Sequence, residues 1–130
     1  MSTAVLLEAV APTIAPVEAF LREVRSLGIR IPRPAELSDY LTAYHDVLTA
    51  TRLACESAAA EFGARFDLSL ELYVDPEIYD PHMMLYVRRE PFDESVWEKL
   101  DRVRDAFADE LADKIGWVHV GYDFRAPARR

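Results

Sequence analysis

Residues 66–75 read Phe-Asp-Leu-Ser-Leu-Glu-Leu-Tyr-Val-Asp. Phe66, Leu68, Leu70, Leu72 and Val74 alternate with Asp67, Ser69, Glu71, Tyr73 and Asp75. Successive side chains of a strand point to opposite faces, so this alternation predicts a half-buried strand with one apolar and one polar side. The period changes on both flanks of this segment, and that change sets the fold class.

Downstream, Asp75–Pro81 is punctuated by Pro76 and Pro81 and reads as a stiff loop. A second strand is expected over 82–90, with Met83, Leu85 and Val87 on its apolar side, making a hairpin with a longer-than-minimal loop. A helix follows. Asp93 is placed as its N-cap, and Phe92 can pack on Trp97 as a hydrophobic staple. Val96, Leu100, Val103, Phe107 and Leu111 form its buried stripe, and Gly116 ends it. The last strand is expected over 117–124, with Val118, Val120, Tyr122 and Phe124 facing the core.

Upstream the spacing is helical. Pro16 suits a first helical position, Val17, Phe20, Leu21, Val24 and Leu27 recur on one face, and Gly28 stops the run. Residues 29–34 hold two prolines and read as an extended linker. A long second helix is expected from Pro34 to just before Gly63. Its stripe is Leu37, Leu41, Tyr44, Leu48, Thr51, Cys55, Ala58 and Phe62, widened by Tyr40, Val47 and Ala54. Residues 1–12 read as a short helix or an extended arm.

The order α-α-β-β-α-β predicts an α+β domain over 1–124, with its helices on one face of a three-stranded, mainly antiparallel sheet. The strand order expected is 2-1-3. A basic tail, 125–130, follows and is expected to be flexible.

Composition narrows the function classes. The chain has 130 residues, a net charge of −8 and one cysteine. Phosphate binding needs clustered Lys and Arg, so nucleic acid and anionic membrane surfaces are not expected partners. No apolar run approaches the ~20 residues of a membrane span. Met1 to Pro12 has no basic start, so no secretory signal is expected, and the lone Cys55 excludes an internal disulfide; both readings favour the cytoplasm. Asn and Gln are absent, and 13 of the 15 cations are Arg, so no mechanism can use a side-chain amide.

The polar side of the sheet is the most informative surface. Alternation places Glu71, Tyr73 and Asp75 there, with Met84, Tyr86 and Arg88 from the second strand and Trp117, His119 and Asp123 from the third. Tyr, Trp, Met and Arg are the residues enriched in protein interfaces. Glu71, Tyr73, Tyr86, Arg88, Trp117, His119 and Asp123 are therefore the candidate binding residues. The expected function is that of a small non-enzymatic accessory protein: an adaptor, an inhibitor or immunity subunit, or an antitoxin-like subunit. The alternative is a small enzyme or ligand-binding domain on the same face, with His119, Asp123, Glu71 and Tyr73 as acid–base groups under a closed pocket.

Other features carry less. No phosphate loop, nucleophile elbow or zinc helix is present, so no catalytic residue, cofactor or metal is assigned. His45, His82 and His119 lack ligand spacing. Asp75, Glu77 and Asp80 share the hairpin loop without the pattern of a calcium loop. Cys55, on an apolar stripe, reads as a buried inert thiol. Glu94, Glu98, Asp101, Asp105 and Asp109 make an acidic ridge that would steer a basic partner. Length supplies one more expectation. A second helix of about 42 Å overhangs a sheet ~14 Å wide with strands of about 30 Å. The overhang would bury itself in a partner protein or a homodimer, unless the second helix is bent or broken and folds back over the sheet.

Overall fold

The structure, a computed structural model, describes residues 16–89 and 92–124. The expectations for 1–12, for Glu90 and for the 125–130 tail lie outside the described residues. The alternating segment forms β1, Asp67–Tyr73, and pairs antiparallel with β2, His82–Arg88. The first helix, α1, covers 16–26, and Gly28 ends it with φ +86°, where a Cβ would be strained. Helices α2, Pro34–Ala43, and α3, Leu48–Phe62, follow. Helix α4, Val96–Leu111, connects β2 to β3, Val118–Tyr122. The class is α+β, as expected.

Strand order differs from expectation. The sheet runs β1-β2-β3, and β2 pairs parallel with β3. A crossover containing a helix is long enough to return the chain for a parallel pair. The edge of β1 was not available to β3, because residues 29–31 occupy it. Arg30 N–H donates to Leu68 O at 2.8 Å, Leu70 N–H donates to Arg30 O at 2.9 Å, and Arg30 bridges Ser69 in parallel. The supposed linker is thus a rudimentary fourth strand, and Pro32, with no N–H to give, limits its extension.

The second helix is also not continuous. It breaks at Tyr44 (φ −119°, ψ 59°) and resumes after a 3₁₀ turn, His45–Val47. The cause is tertiary. Asp46 Oδ2 accepts from Ile115 N–H at 2.6 Å, its Oδ1 accepts from Gly116 N–H at 3.4 Å, and Tyr40 Oη accepts from Trp117 N–H at 2.9 Å. These bonds tie the turn to the segment leading into β3. With two short helices, the length argument for an overhang and hence for a second copy no longer holds.

The core lies between the helices and one face of the sheet. Leu68, Leu70, Met83, Leu85, Val87, Val118 and Val120 from the strands meet the full α4 stripe, Val96 to Leu111, and Leu37, Leu41, Ala54, Cys55, Ala58 and Phe62. Leu27, Tyr44 and Phe124, expected in apolar stripes, are exposed. Each sits at or beyond the end of its element, where no neighbour covers it. The staple forms, with the Phe92 and Trp97 rings 5.5 Å apart. Asp93 caps a turn two residues before the helix, accepting from Ser95 N–H at 3.0 Å, and the N-cap position of α4 falls to Ser95.

Candidate functional site

The sheet face opposite the helices is built in rows. Ladder register sets Tyr73 beside His82, Glu71 beside Met84 and His119, Ser69 beside Tyr86 and Gly121, and Asp67 beside Arg88. The alternation read from the sequence therefore holds on all three strands. The face divides into two halves of different chemistry.

The first half is an ionic network around Arg88. Its side chain is only 5% exposed. Arg88 Nε donates to Asp123 Oδ2 at 3.0 Å, Nη1 to Ser69 Oγ at 2.9 Å and Nη2 to Glu71 Oε2 at 3.3 Å. Asp67 Oδ2 lies 3.8 Å from Nη1, and both Asp67 oxygens accept from Arg30 at 2.8 and 2.9 Å. The Ser69 hydroxyl in turn donates to Glu71 at 2.6 Å. The Tyr86 ring covers the guanidinium, 4.9 Å from its carbon to the centroid. Two cations and three carboxylates are thus spent on one another. Arg88, expected as an exposed binding residue, is an internal pin, because Asp67 and Glu71 from β1 and Asp123 from just beyond β3 converge on it. Glu71 and Asp123 are its partners first.

The second half faces solvent. Tyr73 is 39% and Trp117 48% exposed, and His119 is exposed beside them. Met84 and His82 are half-buried, and the His82 ring lies 5.3 Å from that of Tyr73. His82 was missed as a site residue although the same alternation places it there.

His119 has its pKa below the ordinary 6.5, first because partial burial strips water from the imidazolium, then through Arg104 and His82. Between 6.5 and the lower folded value the unfolded chain holds a proton that the folded chain refuses. His119 therefore weakens the fold as pH falls through that window. In an NMR titration its imidazole is expected to turn over below pH 6.5, and Arg104→Ala should raise the midpoint. A wild-type midpoint at or above 6.5 would contradict the desolvation.

A shallow depression of about 710 Å³ lies over Tyr73, Tyr86, Tyr122, Asp123 and Phe124. Acid–base catalysis needs a base and an acid converging on one reacting atom. Here the carboxylate, Asp123, is held by Arg88, and His119 does not line the depression. Beside it Phe92, Trp97, Tyr122 and Phe124 pack as a partly exposed aromatic cluster, with Phe92–Tyr122 and Tyr122–Phe124 centroids 5.0 and 4.7 Å apart. Strand alternation could not reveal this cluster, because the strand ends at Tyr122 and Phe124 turns outward.

The remaining candidates fall to structural roles. Cys55 is buried, and burial pushes its thiol up to about 12, so it stays protonated and inert at neutral pH. Asp75 Oδ1 accepts from Glu77 N–H at 2.8 Å, which makes it a turn cap. Among the described residues no group of three His, Cys, Asp or Glu is arranged to hold a metal ion, and no helix is long and apolar enough to cross a membrane. The α4 ridge, Glu94 to Asp109, is exposed throughout. Arg102 reaches across to Glu61 on α3 at 2.8 Å, and Lys114 pairs with its neighbour Asp113 at 3.3 Å.

No family model, curated protein or solved structure matches this chain. Its function has to be argued from its surface.

Proposed function

We propose that the protein is a non-enzymatic accessory subunit that docks the solvent-facing half of its open sheet face onto another cytoplasmic protein. The observation that carries this reading is the exposure of Tyr73 and Trp117, which flank His82 across the sheet, with His119 in the next row, on a face the helices leave uncovered. Aromatic anchors on a stiff sheet lose little conformational freedom on binding, and such residues supply most hot spots. The Arg88 network beneath keeps the strands in register and so holds the anchors in place. The exposed acidic ridge on α4, with a net charge of −8 overall, favours a basic partner and sets encounter rate more than affinity. Nucleic acid and anionic membranes are disfavoured by the same charge.

The test is affinity capture from the native cell with wild-type protein and a Tyr73→Ala/Trp117→Ala variant. One partner is expected to be retained at least about tenfold better by wild type, since two hot-spot truncations together cost more than ~1.4 kcal/mol. Neither side chain belongs to the buried core, so thermal melting should fall only slightly. Equal capture by the two proteins overturns the proposal. The depression over Tyr73 and Tyr86 favours a second reading, a small-ligand site on the same face. That reading predicts quenching of tyrosine fluorescence by a ligand and no captured protein.

A further inference from the structure

A second concavity, of about 440 Å³, lies on the helix side of the sheet, between α2 and the β1–β2 loop. Glu36, Asp39 and Tyr40 line it from α2, where spacings of three and four residues put them on one helix face, and Tyr44 lines it from the break that ends the helix. Leu72 and Tyr79 line it from the hairpin. We propose that this pocket binds an organic cation with an alkyl stem, a guanidinium or an ammonium group. The inference does not depend on the docking role of the opposite face.

Three features converge on that ligand class. The first is aromatic. The Tyr40 and Tyr44 rings pack with centroids 4.7 Å apart, and Tyr40 is fixed because its hydroxyl accepts from Trp117 N–H at 2.9 Å. Tyr79 faces them from the loop at 88% exposure. Ring faces attract cations through their quadrupole, and guanidinium, being weakly hydrated, exploits them best.

The second is charge. Residues 33–47 and 73–82 carry six carboxylates (Glu36, Asp39, Asp46, Asp75, Glu77 and Asp80) against one arginine, Arg33. Arg33 meets Glu36 at 3.6 Å with its own side chain 77% exposed, a surface pair that a ligand displaces cheaply. Asp39 has no ion pair among the described residues. The third is the floor. Leu72 offers apolar surface to an alkyl stem while the rim holds the charge. An anion would be repelled by this rim. A neutral apolar ligand would strip water from two carboxylates without compensation. A hydrated divalent ion seeks oxygen ligands, and ring faces give it none.

The test is an NMR titration of the full chain with butylguanidinium chloride, replacing NaCl at constant ionic strength. Saturable shifts confined to residues 36–44 and 72–81 are expected, with Kd on the order of 1 mM. Tyr79→Ala and Asp39→Asn should each weaken binding about fivefold. Both positions are exposed, so neither substitution disturbs the fold. Shifts that do not saturate, or that are unchanged in both variants, overturn the proposal. A blocked Gly-Arg-Gly peptide run in parallel separates the sources. Binding at least as tight as the free cation assigns the pocket to an arginine presented by a protein; binding of the free cation alone assigns it to a small molecule.

Discussion

Arg88→Met is expected to destabilise the protein by about 3–5 kcal/mol, which a urea unfolding curve would read as a midpoint lowered by ~2 M at an m of ~2 kcal/mol/M. Burial alone does not give this figure, since methionine fills much of the same space. The cost comes from what is left behind. Glu71 and Asp123 would lose the guanidinium they share beneath Tyr86, while Asp67 keeps Arg30. Ser69, fully buried, would lose the donor that meets its hydroxyl. A second variant separates charge from packing. Arg88→Met/Glu71→Gln/Asp123→Asn removes the two negative charges that Arg88 neutralised and should regain a substantial part of the loss. A cost for Arg88→Met below ~1 kcal/mol, or no recovery in the triple variant, would show that water reaches this network freely.

Gly116→Ala should cost about 2–3 kcal/mol through overpacking. A methyl group there would stand 2.8 Å from Tyr44 Cβ, 2.8 Å from Val47 Cγ1 and 3.0 Å from Val47 Cγ2. Val47 is fully buried, and Tyr44 Cβ is anchored to the backbone at the helix break. The loop cannot retreat without stretching the Asp46–Ile115 bond at 2.6 Å and the Tyr40–Trp117 bond at 2.9 Å. Gly121→Ala is the control, since its Cβ would meet only Met84 Cε at 3.5 Å. In a double-mutant cycle, Val47→Ala should offset part of the Gly116→Ala cost, because it removes two of the three close contacts. Strict additivity, or a Gly116→Ala cost under ~0.5 kcal/mol, would contradict the close approach.

The same joint explains what the sequence could and could not disclose. The α4 stripe was legible residue by residue, because period 3.6 and burial coincide along a regular helix. The stripe through Leu37, Leu41, Leu48, Cys55 and Phe62 was legible even across the break, since α2 and α3 both present it to the core. The break itself was not. Tyr44, His45 and Asp46 include no proline or glycine; what ends α2 is a set of bonds to residues some 70 positions away. Strand order was hidden for a similar reason, because residues 29–31, between prolines and glycine, seal β1 with two hydrogen bonds that no periodicity announces. At the candidate face, alternation told which side Arg88 would take but not how deep it would lie. Depth came from the convergence of Asp67, Glu71 and Asp123, which depends on register and on β3 lying next to β2.

That position of β3 bears on how the chain folds as it is made. The middle strand, β2, leaves the ribosome about 30 residues before the neighbour that completes it. At typical synthesis rates this is a gap of roughly 2–6 s. For that interval one whole side of β2 shows unsatisfied N–H and C=O groups, and such an edge is a template for pairing with other nascent chains. The fold thus places its period of greatest aggregation risk within translation, before the last strand arrives.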